Sequence, residues 1–429
     1  MPRPSARVVV TAVVAALLSL STVRSSSAYS VLAHESNIDV AWDSAIVPVL
    51  RRRFPRTSRE ALAEARAYAY GGCVIQDLGY YPFGSHFFSD LLHYVRTGDF
   101  VTTLIRDARD VNELAFALGA LAHYTADTNG HPIAVNRTVA IAYPKLRARF
   151  GDRVTYADSP SRHVMVEFAF DVVQTATGKY APDRYHDYIG FQVATPALER
   201  AFRAIYGLDM ADLFNVDLAI STYRHAVSGL IPEMTKVAWR DKRNDILKAS
   251  PQIREAAFVY SYSQQQYDEE FGRNYMKPRW YARLLGLVFK VLPKFGPLKP
   301  LAFKAPTPET ERLFLQSLDK TREDYRASLT ASRENRLRLP DRDLDTGAQT
   351  SLGEYSLADK TYEKLLDKLA DRKFASVPQA LARNITSYFG NVQVLPGDTS
   401  RHHKRSAEVR TDLELLAQTA LHASVRVQD

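Results

Sequence analysis

The chain has 429 residues, of which 46% are hydrophobic and 24% are charged, and this composition excludes a wholly disordered protein. The formal net charge of +8 is compatible with an anionic partner, such as phosphate groups or a lipid surface, but requires none. Cys73 is the only cysteine, which excludes an intrachain disulfide and leaves packing or bound metal as the sources of stability.

The first 28 residues have the pattern of a secretory signal peptide. Two arginines precede an apolar run at 8–20, and a small-residue segment ends at Ala28. The run of thirteen is too short for a membrane-spanning helix, which needs about twenty residues. We therefore expect a secreted or periplasmic protein whose mature chain begins at Tyr29, with an uncleaved membrane anchor as the alternative. The three arginines removed would lower the net charge from +8 to +5.

The segments between residues 58 and 231 favour helices. Apolar residues recur there at intervals of three and four, and the alternation typical of strands is scarce, so the sequence predicts an all-α protein. Asp110 and Glu113 form a capping-box pattern that predicts the beginning of one helix, and Gly130 with Pro132 predicts its end.

The composition changes beyond about residue 235. From Phe271 to Pro308 the chain has eight Lys or Arg and no Asp or Glu, and prolines interrupt an apolar run. We assign the chemistry to a helical domain at 29–235 and interpret 236–429 as a mostly helical extension with a polar tail. Residues 277–304 suggest a peripheral membrane contact, with a proline-rich strap packed over the bundle as the alternative.

Histidines and acids recur at helical spacing. His123, Asp127 and His131 follow at intervals of four, and His163 and Glu167 have the same spacing, so each pair shares a helical face. Imidazole and carboxylate groups are ligands that zinc favours. A single pair of this kind is also typical of a surface ion pair or a satisfied buried histidine. Several of these residues lie in apolar runs, where unpaired polar groups are costly, and this favours metal.

The ordered set resembles the zinc-dependent phospholipase C family, which includes secreted bacterial phospholipases and the N-terminal domain of glycosylphosphatidylinositol-specific phospholipase D. The resemblance covers residues 29 to about 210 and implies an all-α helical bundle with a trinuclear zinc cleft. The matching residues, in order, are His34, Asp77, His86, His123, Asp127, His131, His163 and Glu167.

The resemblance implies three zinc ions with separate sets of ligands. The sets are Asp77, His86, His123 and Asp127; His131, His163 and Glu167; and the amine and carbonyl of Tyr29 with His34 and the bridging Asp127. Two departures from the bacterial phospholipases are visible. Tyr29 stands where they have Trp, and the interval from Asp127 to His131 is shorter and similar to that of the phospholipase D domain.

The implied mechanism is metal-assisted phosphodiester hydrolysis with Asp77 as the general base. Tyr80, Tyr81 and Phe83 follow this residue, and they suggest either the lining of a head-group pocket or ordinary core packing. His93 lies seven residues after the expected ligand at 86 and is interpreted either as an outer group on the same helical face or as an ordinary histidine.

Three hypotheses for the function follow. The leading one is a secreted phospholipase C that hydrolyses the glycerol-side phosphodiester bond of phospholipids, with no nucleic-acid partner. The second is a zinc-dependent nuclease for single strands, since a related trinuclear family uses a similar ligand arrangement. The third is a non-catalytic, zinc-stabilised surface-binding protein.

Overall fold

The computed structural model describes residues 31–176, 192–225, 244, 247–248, 303–390 and 401–425. These residues form helices and connecting loops and contain no β-strand, which confirms the predicted all-α class. None of the described helices has the length and apolar character needed to cross a membrane.

The described residues between 31 and 225 form a bundle of α-helices. The helices are α1 (Val31–Ala41), α2 (Val47–Arg53), α3 (Arg59–Gly72), α4 (His86–Tyr94), α5 (Thr97–Asp107), α6 (Val111–Gly130), α7 (Asn136–Ala142), α8 (Pro144–Phe150), α9 (Pro160–Ala176), α10 (Thr195–Tyr206) and α11 (Val216–His225). The connections include π-helical turns at Trp42–Ile46 and His131–Val135 and 3-10 turns at Ile75–Tyr80 and Met210–Asp212.

Helix α6 is central to the bundle. The Asp110 side chain accepts a hydrogen bond of 2.8 Å from the backbone N–H of Glu113, and the helix ends at Gly130, as predicted. All residues from 114 to 127 are buried, which is typical of a helix surrounded by packed neighbours. A Cβ on Gly119 would lie 2.1 Å from the Ala69 carbonyl oxygen, so glycine permits the close approach of α3.

The later part of the chain packs on the same bundle. Its helices are α12 (Pro308–Arg333), α13 (Ser356–Asp371), α14 (Gln379–Phe389) and α15 (Arg401–Val425). The Tyr325 hydroxyl on α12 donates a hydrogen bond of 2.9 Å to the Leu118 carbonyl on α6. Phe314, Leu344 and Tyr362 belong to the hydrophobic core that the first helices form. The described residues from 303 onwards therefore share one hydrophobic core with the helices that precede them in the chain.

Three sequence predictions concern residues outside the described ranges. These are the signal peptide with Tyr29, the boundary near residue 235, and residues 277–302 of the basic segment. The last two residues of that segment, Phe303 and Lys304, are described, and both contact the bundle. The Phe303 ring packs edge-on against Phe168, and the Lys304 ammonium donates a hydrogen bond of 2.8 Å to the Ala142 carbonyl.

Candidate metal centre

Helix α6 carries the centre of a buried group of histidines and acids. His123 and Asp127 lie one turn apart, and Nε2 of His123 is 3.0 Å from Oδ2 of Asp127. His131 begins the π-helical turn that follows, and its Nε2 lies 3.9 Å from the same oxygen. All three side chains are buried. The spacing of four therefore places them side by side, as the sequence predicted.

Asp77 lies in the 3-10 turn Ile75–Tyr80 and His93 lies on α4, and hydrogen bonds of Ser89 join these two elements. The Ser89 hydroxyl on α4 accepts a hydrogen bond of 2.8 Å from the Gly79 backbone N–H and donates one to the Gln76 carbonyl. These bonds hold the 3-10 turn that carries Asp77 against α4. As a result, Oδ1 of Asp77 lies 3.5 Å from Nε2 of His93, which is at the buried end of α4.

Asp77, His93 and His123 form the first of three clusters, which we name the Asp77 cluster. The Nε2 atoms of His93 and His123 lie 3.4 Å apart. Oδ2 of Asp127 is 3.4 Å from Nε2 of His93, so this carboxylate contacts both rings. The ligand-type atoms thus converge from three separate elements.

Backbone carbonyls fix the orientation of two of these rings. Nδ1 of His123 lies 3.0 Å from the Cys73 carbonyl, and Nδ1 of His93 lies 2.8 Å from the Ser89 carbonyl. Because a carbonyl only accepts hydrogen bonds, Nδ1 must carry the proton in each ring. In the neutral rings, Nε2 then presents its lone pair to the cluster, which is the arrangement that metal-binding histidines adopt.

His34 on α1 forms the second cluster, the His34 cluster, with His123 and Asp127. Its Nε2 lies 3.5 Å from Oδ1 of Asp127, and its ring stacks on His123 with centroids 4.3 Å apart. Burial, with the neighbouring His123, holds the pKa of His34 well below its ordinary value, so the ring is neutral. The carboxylate of Asp127 therefore contacts two clusters, one through each oxygen.

The start of α1 is held by α9. Asp171 accepts hydrogen bonds of 2.9 Å and 3.1 Å from the backbone N–H groups of Leu32 and Ala33. A carboxylate in this position satisfies N–H groups that the helix leaves without partners and interacts favourably with its dipole. The first turn of α1 is therefore held beside α9. The proposed N-terminal ligand, Tyr29, precedes the described residues and stays a prediction.

The third cluster contains His131, His163 and Asp345, and we name it the Asp345 cluster. Nδ1 of His131 lies 2.9 Å from Oδ1 of Asp345 and 3.3 Å from Nε2 of His163. Nε2 of His163 lies 3.8 Å from the same carboxylate oxygen. Glu167 lies on the other side of the His163 ring, with Oε1 at 2.9 Å from Nδ1. It contacts this histidine but not the point where the other three ligand atoms meet.

The buried carboxylates in and beside the clusters carry negative charge that bound metal cations would neutralise. The carboxylate oxygens of Asp77 and Glu167 accept no hydrogen bond from the residues that the structure describes, although both side chains are buried. Such carboxylates are costly to bury without a compensating charge. Burial, with Asp77 and Asp127 nearby, raises the pKa of Glu167 well above its ordinary value. Imidazole nitrogens and carboxylate oxygens in this number are the ligand set of zinc, so the residues present fit zinc ions.

Two described candidates lie outside the three clusters: Glu167, which contacts His163, and His86. His86 is the first residue of α4, is exposed, and contacts the Tyr80 ring edge-on, with centroids 5.4 Å apart. His93, two turns later on the same face, takes the position expected for His86. His86 itself is exposed although the next residue, Phe87, is buried, and the role of His86 as a ligand stays a prediction. The apolar surroundings of His93 in "LLHYV" were the available signal.

Asp345 is a further residue that sequence reasoning missed. It lies in the polar segment "DRDLDTG", which resembles an ordinary connection between helices. No spacing rule connects a residue in this segment with histidines on α6 and α9. The order of ligands in the first part of the chain therefore offered no signal for it.

The aromatic residues after Asp77 have different environments. Tyr80 is buried beside the His93 ring, with centroids 5.8 Å apart, and Tyr81 packs edge-on against Tyr223. Phe83 is 41% exposed and has a positive φ of 66°. The two tyrosines thus follow the core-packing alternative, with Tyr80 also next to the Asp77 cluster.

Comparison with known proteins agrees with this geometry. A family model described as zinc dependent phospholipase C matches residues 42–215. No curated protein and no solved structure matches the chain. The matched segment includes the Asp77 cluster and the histidines of α6 and α9, whereas His34 precedes it and Asp345 follows it. Over residues 42–215, the chain is therefore similar to the zinc-dependent phospholipase C family, whose members are phospholipase C hydrolases.

Proposed function

We propose that the protein is a secreted phospholipase C that hydrolyses the glycerol-side phosphodiester bond of phospholipids with bound zinc. The observation that carries this proposal is the position of Asp127. Asp127 lies inside the segment that matches the family, and its Oδ1 and Oδ2 lie 3.5 Å from Nε2 of His34 and 3.0 Å from Nε2 of His123. A carboxylate shared between two histidine clusters would hold two cations close together, and such a pair stabilises the attacking and leaving oxygens in phosphodiester hydrolysis.

Each cluster would hold one zinc ion. Asp77, His93, His123 and Asp127 would hold the first ion; His34 and Asp127, with the N-terminus at Tyr29, the second; and His131 and His163 the third. When bound, zinc neutralises the charge of the phosphodiester and lowers the pKa of a water molecule towards neutrality. The contribution of the chain itself is the fixed orientation of the ligands, which the Cys73 and Ser89 carbonyls provide.

Asp77 is the residue to which we assign the role of general base. Its carboxylate is fully buried, and both oxygens are without a hydrogen-bond donor among the described residues, so at least one is available to accept a proton. Its backbone N–H donates a hydrogen bond of 3.1 Å to the Val74 carbonyl, which keeps the 3-10 turn closed. The carboxylate is thereby held at a constant position beside His93.

The test is hydrolysis by the mature chain, residues 29–429, of phosphatidylcholine, phosphatidylinositol and single-stranded DNA. We expect release of diacylglycerol and a phosphorylated head group, loss of activity with a chelator, and recovery with zinc. Release of phosphatidic acid would contradict cleavage on the glycerol side. Hydrolysis of DNA alone would favour the nuclease, and zinc binding without any hydrolysis would favour the non-catalytic alternative.

The Asp77→Asn variant tests the assigned base within the same assay. We expect turnover to fall by at least about 100-fold, in the range that general-base catalysis contributes, while sedimentation with vesicles stays unchanged. A matched control is Asp110→Asn, which makes the same chemical change at an exposed helix cap. A change in apparent affinity alone would make Asp77 a substrate-positioning residue.

Secretion and membrane contact complete the proposal. The pattern of residues 1–28 supports export, and N-terminal sequencing of the protein from the medium or periplasm should begin at Tyr29. The basic and apolar composition of 277–304 supports contact with an anionic membrane. Replacing its lysines by glutamates should reduce co-sedimentation with anionic vesicles; equal binding would favour the strap packed over the bundle.

A further inference from the structure

The segment 339–348 of the later chain enters the metal centre. The Leu344 backbone N–H donates a hydrogen bond of 3.0 Å to the carbonyl of His93, and Leu344 itself is completely buried. The Asn136 side-chain amide donates one of 2.9 Å to the carbonyl of Asp345. Backbone groups on successive residues are thus bound to α4, which carries the Asp77 cluster, and to α7, next to the Asp345 cluster.

Several hydrogen bonds attach the start of this segment to α5 and α6. The backbone N–H of Asp99 donates to Oδ1 of Asp341 at 3.0 Å, and the backbone N–H of Arg342 donates to the Thr97 hydroxyl at 3.0 Å. The Tyr124 hydroxyl donates to the Pro340 carbonyl at 2.7 Å. The Arg342 N–H and the Pro340 carbonyl are backbone groups of the segment, so two of these bonds fix the path of its backbone.

The end of the segment lies directly against α6. Gly347 has a φ of +72°, and a Cβ at this position would be 2.6 Å from the Thr128 carbonyl oxygen. Glycine is therefore required both by the left-handed backbone and by the close approach. The turn is closed by Asp343, whose carboxylate accepts a hydrogen bond of 2.8 Å from the backbone N–H of Asp345. The backbone of Asp345 is consequently held on both sides.

A tyrosine orients the carboxylate of Asp345, and two histidines face it. The Tyr355 hydroxyl donates a hydrogen bond to Oδ2, and Oδ1 faces Nδ1 of His131 at 2.9 Å and Nε2 of His163 at 3.8 Å. The carboxylate is 2% exposed. His131 and His163 attract the charged form and hold the pKa of Asp345 below its ordinary value despite burial.

We propose that Asp345 is a ligand of the third zinc ion, so that the later part of the chain completes the metal centre of the family domain. This inference rests on the proposed zinc-dependent function. Residue 345 lies outside the segment 42–215 that the family model matches, so this ligand is a feature of this chain beyond the match. Tyr355 is its positioning residue.

Glu167 and Asp345 lie on opposite sides of the His163 ring. The Glu167 oxygen is 2.9 Å from Nδ1 of His163, whereas Asp345 lies on the Nε2 side of the ring. Asp345 is thus the carboxylate on the Nε2 side of His163, and Glu167 as a ligand stays a prediction.

The experiment measures the zinc content of the mature chain in the wild type and in Asp345→Asn. We expect three zinc ions in the wild type and two in the variant, by elemental analysis after gel filtration. Asp341→Asn is the matched control, since this residue is in the same segment but binds a backbone N–H of α5. It should keep three ions. Tyr355→Phe should weaken the third ion by about 10- to 100-fold in a chelator competition.

A second variant gives a spectroscopic signature. In the cobalt-substituted Asp345→Cys protein, a thiolate ligand should produce a sulfur-to-cobalt charge-transfer band in the near ultraviolet. The wild type and Asp341→Cys, which retain the buried Cys73, provide the background and should lack the band. This variant also decides the case in which Asp345→Asn does not fold.

The outcomes separate the two proposals. Full zinc content in Asp345→Asn, or a folded Asp345→Cys without the band, overturns the assignment of Asp345. A wild type that binds zinc as expected but hydrolyses no phospholipid overturns the proposed function and leaves the zinc ligand intact. Loss of one ion in Asp345→Asn, with the band in Asp345→Cys, establishes the ligand.

Discussion

Nε2 of His123 lies 3.0 Å from Oδ2 of Asp127, one helical turn along α6, and both side chains are completely buried. The Cys73 carbonyl holds the opposite nitrogen of the His123 ring at 3.0 Å, so the histidine cannot turn away from the carboxylate without losing a buried hydrogen bond. Asp127 also lies 3.5 Å from His34. Asp127 therefore contacts histidines of two of the three clusters, the His34 cluster and the Asp77 cluster.

The first prediction concerns Asp127→Asn. An amide lacks the negative charge that two cations would share, so we expect loss of at least one zinc ion, at least about 100-fold lower metal affinity, and no measurable hydrolysis. The melting temperature should also fall towards that of the chelator-treated wild type, since metal binding stabilises the fold. Elemental analysis and calorimetry check both results. A variant with full zinc content and wild-type turnover would contradict the shared carboxylate.

The second prediction compares the two histidines of α4. His93→Ala should lose the zinc ion of the Asp77 cluster and its activity, because its Nε2 lies within 3.5 Å of Asp77 and Asp127. His86→Ala should keep the full zinc content, since His86 is exposed at the other end of the helix. Zinc analysis and turnover of the two variants, prepared in parallel, provide the measurement. The reverse result would restore the ligand expected from the resemblance.

The third prediction is that zinc binding to the metal-free protein releases a proton from His93. Burial opposes the charged ring, but Asp127 and Asp77 outweigh it and raise the pKa of His93 to about 10. Below that pH the metal-free ring carries a proton on Nε2, which zinc must displace, because Nδ1 donates to the Ser89 carbonyl. Apparent affinity should therefore rise with pH between 7 and about 9 through this group.

Titration calorimetry in two buffers of different ionisation enthalpy measures this proton. The heat should differ between the buffers in proportion to the protons released, and His93→Gln, which has no titrating ring, should release about one fewer proton. In the metal-free protein the same raised pKa stabilises the fold fully below about pH 6.5, and the contribution is lost as the pH rises towards 10. Equal heats in both buffers would exclude the displaced proton.

The fourth prediction concerns the mature N-terminus. Asp171 holds the N–H groups of Leu32 and Ala33, so a chain that begins at Tyr29 starts three residues before a fixed point next to His34. One additional residue before Tyr29 should lower zinc content and activity, because it replaces the free amine by an amide whose lone pair is delocalised. Tyr29→Trp should be tolerated, since only main-chain atoms are required. Full zinc content and turnover in the extended protein would exclude the N-terminal ligand.

Local spacing in the sequence was sufficient to predict the helical class, the bounds of α6 and the meeting of His123 with Asp127. The physical reason is that residues four apart on a helix share a face whatever surrounds the helix. The capping of α6 by Asp110 depends in the same way on residues three apart, and the structure shows it at 2.8 Å. Predictions of this kind require no knowledge of the tertiary packing.

The choice between His86 and His93, and the presence of Asp345, were decided only by the tertiary structure. Both histidines lie on one face of α4, but His93 is buried beside His123 of α6 and its carbonyl is bound by Leu344, whereas His86 is exposed. Asp345 reaches His131 and His163 because backbone hydrogen bonds fix the path of that segment across α5, α6 and α7. Contacts between residues so distant along the chain arise from long-range packing, which no local periodicity encodes.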